Sequence, residues 1–146
     1  MRSIHDSTYK AEIERRLGKL RSDSTGRWGK MSVGQMLWHV NEALDAALGH
    51  VQLPPVKLPV PKALVKFLVM NMPWGKGAPT YPQWVARKEC DFASEKERCL
   101  RLVDQLARRP LEGDWPASPM LGRMRGHEVT RLQAKHLDHH LKQFGV

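Results

Sequence analysis

Four stretches of this chain repeat apolar residues at three- and four-residue spacing, and none sustains the alternation of a half-buried strand. Such a chain buries itself as helix on helix. From Asp6 to Arg21, the residues Tyr9, Ile13, Leu17 and Leu20 share one helical face, with charges between them. Ser24-Thr25-Gly26 breaks that pattern. Ser32 and Gln35 then fit a capping box. Val33, Met36, Leu37, Val40, Ala43, Leu44, Ala47 and Leu48 follow on one face, and Gly49 is well placed as the stop. Ser94-Glu95-Lys96-Glu97 reads as a second capping box, ahead of the stripe Cys99, Leu102, Val103, Leu106 and Ala107, with Pro110 closing it. A last helix is expected from about His127 to Gln143. The fold class expected is all-α: an antiparallel four-helix bundle, with long loops between helices two and three and between helices three and four.

The connections are distinctive. Pro54, Pro55, Pro59 and Pro61 make an extended connector. Lys62 to Met72 is expected as a short amphipathic helix, with Leu64, Phe67 and Leu68 inward, Lys62 and Lys66 outward, and Pro73 ending it. Residues 74–91 and 111–126 read as irregular, and loops of that length usually carry function or cover something. At 146 residues the chain is expected to be one domain over residues 1–146.

Charge narrows the function classes. The net charge is +9, but lysine and arginine are spread along the chain, with no long run and no aromatic ladder. Solvated surface is favoured over a nucleic-acid footprint, and no nucleic-acid partner is expected. The two cysteines, Cys90 and Cys99, make neither a disulfide framework nor a zinc knuckle and read as reduced thiols with packing roles. Met1 to Asp6 lacks the apolar run of a signal peptide, and the Val56 to Met72 stretch is too short and too often interrupted by lysine to span a bilayer. A cytoplasmic protein with no membrane partner is expected. No helix shows two apolar stripes, and a homodimer stays open.

The chemistry concentrates near the end of the chain. His136, His139 and His140 are three of the seven histidines. At about 100° per residue, Val129, Leu132, His136, His140 and Gln143 fall within an arc of about 80°. His136 and His140 thus stand where core residues belong, stacked on one face. An unpaired imidazole in a core loses water at its ring nitrogens. Two readings follow: a two-ligand metal clip, or core histidines bonded to each other, to water or to carboxylates. A third ligand would have to come from another element, and His39 leads, about 40° beyond the edge of the second helix's stripe. Asp138 points away. His139, about 60° from His136, is ranked behind the pair, as a base or a supporting group.

At these residues the sequence resembles the DinB-like superfamily, in a branch classed as a domain of unknown function. The resemblance rests on Trp28-Gly29-Lys30-Met31-Ser32 leading into Gln35-Met36-Leu37-Trp38-His39. It rests also on Gln133-Ala134-Lys135-His136-Leu137-Asp138-His139-His140-Leu141-Lys142-Gln143-Phe144-Gly145, with Pro73-Trp74 and Lys76-Gly77-Ala78 between. It implies a four-helix bundle carrying a divalent metal on three histidines, which by position are His39, His136 and His140. The residue types suit zinc, nickel or iron. One departure is visible: relatives often carry Arg-Gly after the last histidine, where this chain has Leu141-Lys142.

Three neutral histidines leave a coordination position open, which is the pattern of a catalytic site. An open divalent cation can acidify a thiol or water, or polarise a carbonyl. There is no His-Glu-x-x-His motif to supply a hydrolytic base. The resemblance implies a thiol-dependent S-transferase or isomerase acting on small molecules with a low-molecular-weight thiol co-substrate. The alternatives are a metal hydrolase, with His139 as base, and a non-catalytic binding or stress protein with a vestigial site. Trp74, Lys76, Trp84, Trp115 and Met120 are candidates to wall the open end, although the tryptophans would equally serve to pin long loops to the helices.

Overall fold

Each apolar stripe becomes a helix, and a shorter helix joins them. The computed structural model describes residues 2–146, which form five α-helices and one short 3-10 turn. They are α1 (Ser7–Lys19), α2 (Val33–Leu48), α3 (Lys62–Asn71), α4 (Phe92–Arg108) and α5 (Gly126–Gln143), with the 3-10 turn at Pro82–Trp84. The described residues are all-helical, as expected, and the fifth helix is the short one expected over Lys62 to Met72. α2 packs against α4 and α5, and α1 packs against the same two. Between them lies one core that includes Ile13, Leu17, Leu37, Leu44, Val103, Leu106, Leu137 and Leu141. No described helix is long and apolar enough to cross a membrane.

The helix starts follow the local chemistry. Asp6 caps α1 by accepting from the Tyr9 amide at 3.0 Å. Ser32 caps α2, with both arms of the capping box made to Gln35, and Gly49 ends the helix at a left-handed φ of 80°. The second capping box is misplaced by the sequence reading. α4 starts two residues before Ser94, and its cap is Asp91, whose carboxylate accepts from the Ser94 amide at 2.9 Å. A carboxylate is as good a cap as a serine and adds favourable charge at the helix start.

α3 also corrects the expectation. Leu64, Phe67 and Leu68 face outward, at 48%, 60% and 45% exposure, while Val65, Val69 and Met70 pack on the core. The lysines explain the turn. Lys66 Nζ reaches Glu128 of α5 at 2.7 Å, and Lys62 Nζ reaches the Pro119 carbonyl at 3.3 Å. Both lysines share a helical face with Val65 and Val69, and that face therefore turns inward. Lys135 of α5 completes the anchor, donating to the carbonyls of Val69 and Met72 at the end of α3.

Charged groups close the seams between helices. Arg16 is buried yet paired, donating to Asp138 at 2.8 Å and to the Val146 carbonyl at 2.9 Å. Arg98 of α4 bridges to Glu42 and Asp45 of α2. The start of α2 lies against residues 88–90, where Ser32 Oγ donates to Glu89 and Gln35 Nε2 donates to the Lys88 carbonyl. Gly34 permits that approach, since a Cβ there would stand 2.1 Å from the Cys90 carbonyl oxygen. Gly34→Ala is expected to destabilise the fold by about 1–3 kcal/mol through overpacking, even though alanine is the better helix former. Urea unfolding of the two proteins checks this, and an unchanged or raised midpoint would refute the contact.

Candidate metal centre

α2 brings His39, and α5 brings His136 and His140, to one buried point. Their ligand nitrogens lie within 4.8 Å of one another, and Nε2 of His39 and Nε2 of His136 are 2.9 Å apart. The boundary position predicted for His39 is thus resolved inward.

The far side of two rings is already occupied. His39 Nδ1 donates to the Trp84 carbonyl at 2.8 Å, at the end of the 3-10 turn. His140 Nδ1 donates to Gln143 Oε1 at 2.7 Å, and Gln143 Nε2 donates to the Trp28 carbonyl at 2.9 Å. The bond to a carbonyl fixes which end of the Gln143 amide is oxygen. These partners set the tautomer with hydrogen on Nδ1 and leave the Nε2 lone pairs facing the centre. Such outer bonds are the usual support of metal-binding histidines.

The charge state agrees with the geometry. Burial pushes all three imidazoles below their ordinary pKa, His140 to about 3. The rings also repel one another's protons, since His136 feels His140 and His39 as well as its own burial. With the His39 proton on Nδ1, the 2.9 Å contact is a hydrogen bond donated by His136 Nε2 to His39 Nε2, and a divalent cation takes the place of that shared proton once His136 shifts its own to Nδ1. Nitrogens bound to a common zinc ion at about 2.0–2.1 Å cannot be more than about 4.2 Å apart. The 2.9 Å pair meets that limit, and the set as a whole, within 4.8 Å, stands close to it. Three buried histidines are therefore positioned to hold a metal ion.

A model of the family described as a protein of unknown function, DUF1569, matches residues 3–145, a span that includes all three histidines. The chain belongs to this family. No curated protein and no solved structure matches it.

In this DUF1569 protein the histidines form the floor of a cavity of about 690 Å³. Trp74, Lys76, Trp84 and Met120 line it, as does Trp28. Trp115 does not: it is buried beneath Arg109, whose guanidinium stands 4.3 Å from its ring, and it pins the loop at 111–126. His139 lies on the cavity wall, edge-on to Trp28 at 5.8 Å and to Trp74 at 5.6 Å. Its ring nitrogens hydrogen-bond no described residue, and burial lowers its pKa. Asp138 faces away, as expected, and holds Lys142 at 2.7 Å on the outer surface. Lys142 is therefore taken up outside the site.

Sequence reasoning missed the outer partners. Gln143 was legible in principle, three residues after His140 on the same face. The carbonyls of Trp28 and Trp84 were not, because a backbone acceptor leaves no mark on residue type.

Proposed function

We propose that this protein is a DinB-like metal-dependent enzyme, a thiol-dependent S-transferase or isomerase acting on small molecules, with His39, His136 and His140 as its metal ligands. One observation carries the reading: three imidazoles held uncharged by burial converge ring nitrogens at the floor of an apolar cavity large enough for a substrate. A closed structural site would have a fourth protein ligand. Here the remaining side opens to the cavity. A divalent cation held there supplies Lewis acidity, which lowers the pKa of a thiol and makes it a nucleophile at neutral pH.

The protein's own residues do the rest. Trp84 and Gln143 hold the His39 and His140 rings in one orientation. Trp74, packed on His136 with ring centroids 5.9 Å apart, excludes water from that side. His139 offers an uncharged ring nitrogen to a proton released in the cavity.

His139 also favours a second reading, the metal hydrolase, since an unpaired imidazole beside the centre is suited to general-base work on water. The two readings separate in one experiment. The cobalt-loaded protein is titrated with cysteine or glutathione, and thiolate-to-cobalt charge-transfer absorption is followed. The band is expected in the wild type and not in His136→Ala. Cobalt uptake with no band at millimolar thiol, together with thiol-free turnover of an aryl ester, would replace the transferase by the hydrolase.

A further inference from the structure

The three histidines account for the floor of the cavity but not for its walls. Trp28, Trp74, Trp84, Met120 and Leu132 give it broad apolar sides suited to a flat ring system. Lys30 and Lys76 bring positive charge to the lining, and no carboxylate among the described residues faces it. Lys76 Nζ stands 5.2 Å from the centroid of the Trp28 ring, which holds its ammonium at the aromatic wall.

Among the polar wall groups, which include Thr80, Ser118, His139 and Gln143, Gln133 has a buried side-chain atom left without a partner. It lines the cavity at 6% exposure, and its Oε1 is buried without a hydrogen-bond partner. A buried amide oxygen in that state is unfavourable, and a turn of the amide about its terminal torsion is what presents one of its ends to the cavity, one helical turn before His136. A hydroxyl is the group that fits it best. The terminal amide torsion is soft, and a hydroxyl both donates and accepts, so it pairs with either end of the amide.

We propose that the cavity takes an aromatic carboxylate that also carries a hydroxyl, with the ring between the tryptophans, the carboxylate toward Lys76 and the hydroxyl on Gln133. This names the substrate class of the proposed function and rests on that reading for the chemistry, though not for the binding. An aromatic cation is excluded from the cavity by the same lysines that attract the anion.

Titration calorimetry tests this with a hydroxynaphthoate whose two polar groups sit at opposite ends. The comparison ligands are naphthoate and the corresponding hydroxynaphthamide, on apo and zinc-treated protein. Loss of the hydroxyl is expected to weaken binding about tenfold in the wild type and not at all in Gln133→Leu. Replacing carboxylate by amide is expected to weaken it roughly fivefold at low salt, a preference that Lys76→Met removes. Gln133→Leu is expected to melt no lower than the wild type, because it deletes an unpaired amide; a merely structural Gln133 would lower the melting temperature and leave the hydroxyl preference intact. Lys76 is exposed, so its variant reports on the charge even if Gln133→Leu does not fold. Equal binding of all three ligands, or binding of none, overturns the proposal. Naphthoate binding only with zinc, indifferent to both substitutions, also overturns it, since the carboxylate would then be an ordinary metal ligand. Selective binding by a protein that takes up no zinc upholds the substrate class and removes the metalloenzyme.

Discussion

His136→Ala is expected to abolish stoichiometric metal binding. Elemental mass spectrometry should find about one zinc, nickel or iron per wild-type chain and only traces in the variant. The magnitude follows from the ligand count. Structural zinc sites with four ligands are worth about 10–16 kcal/mol, so one ligand's share is roughly 3–4 kcal/mol, or two to three powers of ten in affinity. His136 is the ligand to remove, because its Nε2 is the nitrogen 2.9 Å from that of His39, and His140 packs on the same ring at a centroid distance of 4.8 Å. Two further variants calibrate the result. Gln143→Leu frees the His140 ring but keeps all three ligands, and is expected to cost about ten- to a hundredfold in affinity. His139→Ala, which removes a wall residue outside the three-histidine cluster, is expected to leave metal content unchanged. A wild type that is folded, metal-free and refractory to added metal would remove the metal centre altogether. Retention of the metal by His136→Ala would move the centre to other residues.

How far such a site can be read from sequence depends on what each part rests on. The pair His136 and His140 was legible because both occupy core positions on a helix, where polar rings need a reason. His39 was legible only in part: the wheel left it beside the stripe, and its inward turn depends on the Trp84 carbonyl 45 residues along the chain. The helix faces of α1, α2 and α4 were legible for the same reason as the pair, since an apolar stripe at 3.6-residue spacing has one place to go. α3 was not. Its leucines and Phe67 argued for one face, but Lys66 had an inward partner in Glu128, and no local pattern announces a partner 62 residues away. The start of α4 failed more simply. Asp91 and Ser94 were both competent caps, and propensity alone does not choose between them. Local chemistry thus located the elements and the histidine pair, while orientation was decided by contacts distant in sequence.

Acid should unfold the metal-free protein in a window that those same histidines set. In the folded state, burial holds His39, His136 and His140 below the ordinary imidazole value, His140 at about 3. In the unfolded chain each returns to about 6.5. Above that value neither state binds these protons and stability is flat. As the pH falls below it, the unfolded chain takes up a proton at each ring while the folded protein does not, so stability is lost, by up to about 1.4 kcal/mol per pH unit for each histidine. For His140, held at about 3, the step from pH 7 to pH 5 comes to about 2 kcal/mol, and His136 and His39 add to the loss in the same direction. Paired carboxylates do not produce this window. Asp138, held by Lys142 and Arg16 below its ordinary value, loses its contribution only under more acidic conditions. Urea unfolding of the apo protein between pH 7.5 and 5 is therefore expected to show a midpoint that is steady near neutrality and collapses below about 6.5. Saturating zinc raises the neutral-pH midpoint, because the folded state alone presents the three nitrogens together, and it steepens the acid limb, because protons then compete with the metal. His140→Ala removes one titrating ring and should flatten the apo slope. An apo midpoint that does not change between pH 7 and 5 would mean that the rings are not held neutral by the fold, and the same neutrality is what makes them ligands.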